Sequence, residues 1–169
     1  PNTQIYNWGF TGNDVNITQL DPSDFAITID FGPLATTGDI FVYGTNDSCG
    51  SGDTSYLFIG IQELPTVYAG LDDTICVNQS VTLAGTRNFS NSSAWSTPGD
   101  GVFSDITSLN STYTPGTGDL AAGSVILILE ATPIAPCAGA VKDTMLLTFD
   151  PLPIAIAGDD TTVCENQLM

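Results

Sequence analysis

What constrains this chain most is that it states one segment twice. Leu64-Pro65-Thr66-Val67-Tyr68-Ala69-Gly70-Leu71-Asp72-Asp73-Thr74-Ile75-Cys76-Val77-Asn78-Gln79 returns 88 residues later as Leu152-Pro153-Ile154-Ala155-Ile156-Ala157-Gly158-Asp159-Asp160-Thr161-Thr162-Val163-Cys164-Glu165-Asn166-Gln167. Nine of the sixteen positions are identical, without a gap. Recurrence at domain-sized spacing is the signature of a tandem array, and arrays serve reach, adhesion or scaffolding more often than chemistry.

The echo continues outside that segment. Trp8 and Trp95 are 87 residues apart, and Cys49 and Cys137 are 88 apart. Asp53-Thr54 answers Asp143-Thr144, each before a final hydrophobic run, and Leu34 to Gly38 answers Leu120 to Gly123. On this basis residues 69–154 make one complete unit. Residues 1–68 make a unit without its opening strand, and residues 155–169 are the first strand of a following unit and a candidate donor strand. The Leu-Pro pairs at 64–65 and 152–153 mark the joints, where proline stiffens a short link.

Short strands with turns between them fill both units. Phe25 to Phe31, Asp39 to Gly44, Ser55 to Ile61, Ser80 to Leu83, Ser124 to Leu129 and Thr144 to Phe149 are strand-like runs. Clusters such as Gly12-Asn13-Asp14, Pro98-Gly99-Asp100-Gly101 and Pro115-Gly116-Thr117-Gly118 punctuate them, and helical periodicity is scarce. The pattern predicts an all-β fold of tandem β-sandwich modules.

Charge narrows the partners. The net charge is -17, the bases are Arg87 and Lys142 alone, and histidine is absent. Nucleic acid is thereby excluded as a partner, since phosphate binding needs clustered Lys and Arg, and the same charge weighs against anionic membrane surfaces. Only 12% of residues are charged, so the surface must consist largely of Ser, Thr, Asn and Gly, as on an extracellular protein. The longest apolar run, Val125 to Leu129, is strand-sized, so no transmembrane segment is expected. Pro1 is not a translation start, and the chain reads as a mature product or an excised window. With no His for a Ser-His pair and the acids mostly in turns, no enzyme and no catalytic residue is expected.

The cysteines lack the CxxC spacing of zinc sites. Within 69–154, Cys76 and Cys137 form the obvious disulfide, closing a long loop in an oxidising compartment. Cys49 holds the position of Cys137, and Cys164 that of Cys76 in the following unit. A Cys49–Cys164 bond across successive copies is one expectation; a bond within one chain, or none, is the other. The window is then either one period of a covalent array, or its tail adds to residues 1–68 of a neighbouring chain. Copies of itself, end to end, are the expected partner.

Calcium is the one cofactor that the residues suggest. Asp72-Asp73 and Asp159-Asp160 lie near the joints and offer hard oxygen ligands, although no DxDxDG loop is present. Their ordinary role is that of solvated turn acids. Trp8 and Trp95, at equivalent positions, are expected to pack between sheets against the disulfide, with stacking on a carbohydrate as the lesser role.

Several stretches resemble a known family. Ala69 to Cys76, Val81-Thr82-Leu83-Ala84-Gly85-Thr86, Trp95 to Phe103, Tyr113-Thr114-Pro115 and Ala122 to Val125 resemble immunoglobulin-like repeats of very long secreted surface proteins in Bacteroidetes-type bacteria. Tyr6-Asn7-Trp8, Ile27 to Gly32 and Val42 to Asn46 leading to Cys49-Gly50 are similar to the PKD-like modules that alternate with them. The resemblance implies a structural repeat unit of an extracellular bacterial filament or giant cell-surface adhesin. A glycan- or surface-binding module of a secreted protein is the alternative. It also implies O-glycans at Thr74, Thr144 and Thr161, which follow Asp as in the glycosylation signal of that group.

Overall fold

The computed structural model describes residues 4–23, 25–162 and 164–165, in two compact units, Pro1–Glu63 and Leu64–Met169. The boundary corrects the expected one at 68/69. Thr66 to Tyr68 pair with Thr86 to Asn88, so the stretch after the Leu64-Pro65 joint already belongs to the second unit.

The first unit contains β1 (Ile5–Phe10), β2 (Val15–Thr18), β3 (Thr28–Phe31), β4 (Gly38–Asn46) and β5 (Gly50–Ile59). β1, β4 and β5 form an antiparallel sheet in the order β1-β4-β5, and β2 pairs with β3 in a separate ribbon. Aromatic contacts tie the elements together: Tyr6 with Phe25 at 4.3 Å between ring centres, and Phe10 with Phe31 at 5.8 Å. Among the described residues of this unit, Ile40 is the one buried hydrophobic. Leu20, Phe25, Leu34, Tyr56, Leu57 and Phe58 are exposed. A sheet with so little covered surface gains little from hydrophobic burial.

The second unit contains β6 (Thr66–Tyr68), β7 (Asp73–Cys76), β8 (Val81–Thr82), β9 (Thr86–Asn88), β10 (Ser90–Ser96), β11 (Val102–Phe103), β12 (Thr112–Thr114), α1 (Thr117–Ala122), β13 (Ser124–Pro133) and β14 (Val141–Asp150). One sheet has the order β10-β13-β14-β7, with β7 parallel to β14. The other runs β11-β12-β8, and β6 pairs with β9. Leu83 and Gly85 donate to the carbonyls of Ser111 and Leu109, so β8 and β9 are one interrupted strand. The result is a two-sheet, immunoglobulin-like β-sandwich whose first strand is split between sheets.

Alternation explains its core. Val125, Leu127 and Leu129 point inward from β13, and Met145, Leu147 and Phe149 from β14. Trp95 and Tyr113 fill the space between sheets, with Phe103 beside both. Helix α1 is six residues long, ends at the left-handed Gly123, and is the helix that sequence periodicity did not reveal. Among the described residues no helix is long and apolar enough to cross a membrane.

Candidate functional site

The first copy of the repeated segment lies along a sheet edge rather than in a cleft. In the second unit, β7 lies along the outer edge of β14, with Asp73 opposite Leu147, Thr74 opposite Thr148 and Cys76 opposite Asp150. Two carboxylates fasten this opening segment. Asp72 Oδ1 accepts the N–H of Leu146 at 2.8 Å, and Asp143 Oδ2 accepts the N–H of Ala69 at 2.7 Å. Gly70 between them has φ +109°, which turns the chain from one sheet to the other.

The first unit repeats the acceptor half of this arrangement. Gly38 stands opposite Ile59, as the Gly123 carbonyl accepts from Phe149. Ile40 opposite Leu57 therefore corresponds to Val125 opposite Leu147. Leu147 is 0% exposed, whereas Leu57 is 62% exposed. Among the described residues nothing pairs with the outer edge of β5. The direction of its polar groups follows from β4. Asp39 uses both N–H and C=O on Thr11, so Phe58 opposite it, and Tyr56 on the same side, turn theirs outward.

The repeated tail takes no strand form. Residues 151–162 and 164–165 are exposed, and they belong to no ladder. The strand expected over 155–169 is thus not formed within one chain; Val163 and residues 166–169 lie outside the described residues. Gly158 nevertheless has φ +88°, the same left-handed turn as its counterpart Gly70.

The expected Cys76–Cys137 bond is corrected. Cys76 is a free thiol. Cys76 stands beside Asp150 at the end of β14, while Cys137 lies in the loop before Val141 at its start. The length of β14 separates them by about 30 Å, and a disulfide needs Cα atoms within about 7 Å. Cys49 sits in the tight turn between β4 and β5, where its N–H bonds Asn46 Oδ1 at 2.7 Å, and Cys164 sits in the exposed tail.

Asp72 is engaged by Leu146, Asp73 Oδ1 accepts from Thr74 N at 2.8 Å, and Asp159 and Asp160 are exposed in the tail. Among the described residues no three His, Cys, Asp or Glu side chains converge. Thr74, Thr144 and Thr161 are all exposed, the first two on strands β7 and β14. Trp95 is 2% exposed and donates from Nε1 to the Ser108 carbonyl at 3.1 Å. Trp8 is half-buried with its Nε1 unpartnered, and it pairs with Val42, four residues after Gly38. Trp95 pairs with Leu129, six after Gly123, so the two indoles sit two positions apart on the same face rather than at equivalent places.

One polar cluster escaped sequence reading. Asp119 is 3% exposed, and its carboxylate accepts from Tyr113 Oη at 2.6 Å and from the N–H groups of Asp100, Gly101 and Gly116 at 3.0–3.1 Å. Asp100 reciprocates, accepting from the N–H groups of Gly118 and Asp119 at 2.8 and 3.0 Å. These N–H donors hold the Asp100 carboxyl below the usual carboxylate range. Burial, and then the bond to Asp119, pushes the Tyr113 hydroxyl well above the usual phenol range. A Cβ on Gly99 would stand 2.0 Å from Asp119 Oδ1, so that backbone comes as close as only glycine permits. The cluster locks two loops together. The shallow depression beside it, from Pro98 to Leu146, is lined by no aromatic side chain.

Solved structures similar in fold include the human CDH23 fragment EC21-23, with 8% identity, a TM-score of 0.46, and coverage of 88% of this chain and 58% of that one. An I-band fragment of titin gives 12%, 0.43, and 88% and 56% coverage. The extracellular cadherin domains 1-5 of protocadherin gamma B2 give 13%, 0.45, and 89% and 32%. The chain thus spans less than two thirds of each of these structures. No family model and no curated protein sequence matches it.

Proposed function

We propose that this chain is a structural repeat unit of an extracellular bacterial filament or giant cell-surface adhesin, working through contact with further copies of itself. The observation that carries this reading is the reappearance, after a completed sandwich, of the segment that opens that sandwich. A chain that begins a unit again after closing one is built for continuation. The first unit is read as the PKD-like partner of the immunoglobulin-like second.

The charge supports the same role. A net charge of -17 keeps neighbouring threads apart and soluble. Exposed Thr74, Thr144 and Thr161 are the proposed carriers of O-glycans on such a surface. Electron microscopy of native material tests the reading: threads with an axial repeat of two small domains support it, and isolated particles of fixed size overturn it. Intact mass equal to the bare 17.6 kDa chain overturns the glycans alone.

A further inference from the structure

We propose that the outer edge of β5 accepts the 154–164 segment of a second copy as a parallel strand, in the manner in which β14 accepts β7. The inference rests on the repeat-unit reading and specifies its joint. Four observations define the fit.

First, the edge is open. Tyr56 and Phe58 turn their backbone groups outward with no partner among the described residues. Unpaired strand edges are templates for pairing with another chain. Second, the occupant is written in the chain itself. The tail repeats the sequence of the strand that fills this place in the second unit, and it carries the same left-handed glycine. Third, both carboxylate fasteners have counterparts. Asp53 stands where Asp143 holds Ala69, with Ala157 as the matching donor, and Asp160 stands where Asp72 holds Leu146, with Tyr56 as the matching donor. Fourth, the first unit is short of cover. Leu57 is exposed on a position that is fully buried as Leu147.

The register follows from the second unit: Leu57 opposite Thr161, Phe58 opposite Thr162 and Gly60 opposite Cys164. Cys164 then lies at the far end of β5 from Cys49. In this register the joined sandwich is held by the ladder and the two carboxylates, without a Cys49–Cys164 bond.

The test uses two defective variants. Phe58→Pro removes an outward N–H, a change that an edge strand tolerates, and so closes the edge while keeping the tail. A chain ending at Pro151 keeps the edge and lacks the tail, whose described residues form no strand. Association is followed by light scattering and native mass spectrometry at rising concentration. The intact chain is expected to form open-ended multimers, Phe58→Pro alone to associate on the order of tenfold more weakly, and the chain ending at Pro151 alone to lose self-association. An equimolar mixture of the two is expected to stop at dimers, which also shows that both variants are folded. Phe58→Pro multimers equal to those of the intact chain would overturn the strand addition and leave the repeat unit standing. Monomers throughout, mixture included, would likewise overturn the strand addition, whereas the repeat-unit reading falls only if native material shows isolated particles of fixed size.

Discussion

The hydroxyl of Tyr113 donates to Oδ2 of Asp119 at 2.6 Å inside the second unit. This one bond joins strand β12 to helix α1, and through Asp119 it reaches the backbone of the 98–101 loop. Tyr113→Phe removes a donor from a buried carboxylate that keeps three N–H partners. The expected loss is about 1–3 kcal/mol, read from urea unfolding. Asp119→Ala strands those N–H groups and is expected to cost more than Tyr113→Phe.

The second prediction concerns acid. The Gly118 and then the Asp119 N–H lower the pKa of Asp100, and the hydroxyl and then the N–H of Thr107 lower that of Asp105. A folded pKa below the unfolded one favours the ionised group in the folded state. Its contribution is therefore complete above the ordinary carboxylate value, about pH 4, and is lost as pH falls from there through the lowered value. Unfolding midpoints should drop between pH 5 and pH 2, with a smaller drop in Asp100→Asn.

The third compares two leucines on corresponding positions. Leu147→Ala opens a cavity in a packed core and is expected to cost about 2–5 kcal/mol. Leu57→Ala in the dilute monomer should cost less than about 1 kcal/mol, because its site is already wet. Trp95 and Trp8 report the two units separately by fluorescence.

The fourth concerns oxidation. Peptide mapping of the oxidised monomer should find no Cys76–Cys137 link. Finding it would require β7 to run the other way along β14.

The strands were legible because alternation and turn residues are local signals. Ser124 to Leu129 and Thr144 to Phe149 read directly as β13 and β14. The disulfide was not, although its premise was sound. Cys76 is on the first strand, Cys137 precedes the last, and those strands are neighbours. What spacing leaves open is their sense, and the parallel sense sends the two cysteines to opposite ends. The Asp119 cluster was hidden for a different reason: hydrophobic periodicity carries no information about a buried carboxylate. The available signal was the glycine density of 99, 101, 116 and 118, which marks places where backbones approach closely.

The parallel run of β7 along β14 also bears on direction. Strands entered always in one sense align every subunit head to tail. A thread made this way would be polar, with an empty groove at one tip and an unclaimed tail at the other. Growth could be halted at either tip by a different capping molecule.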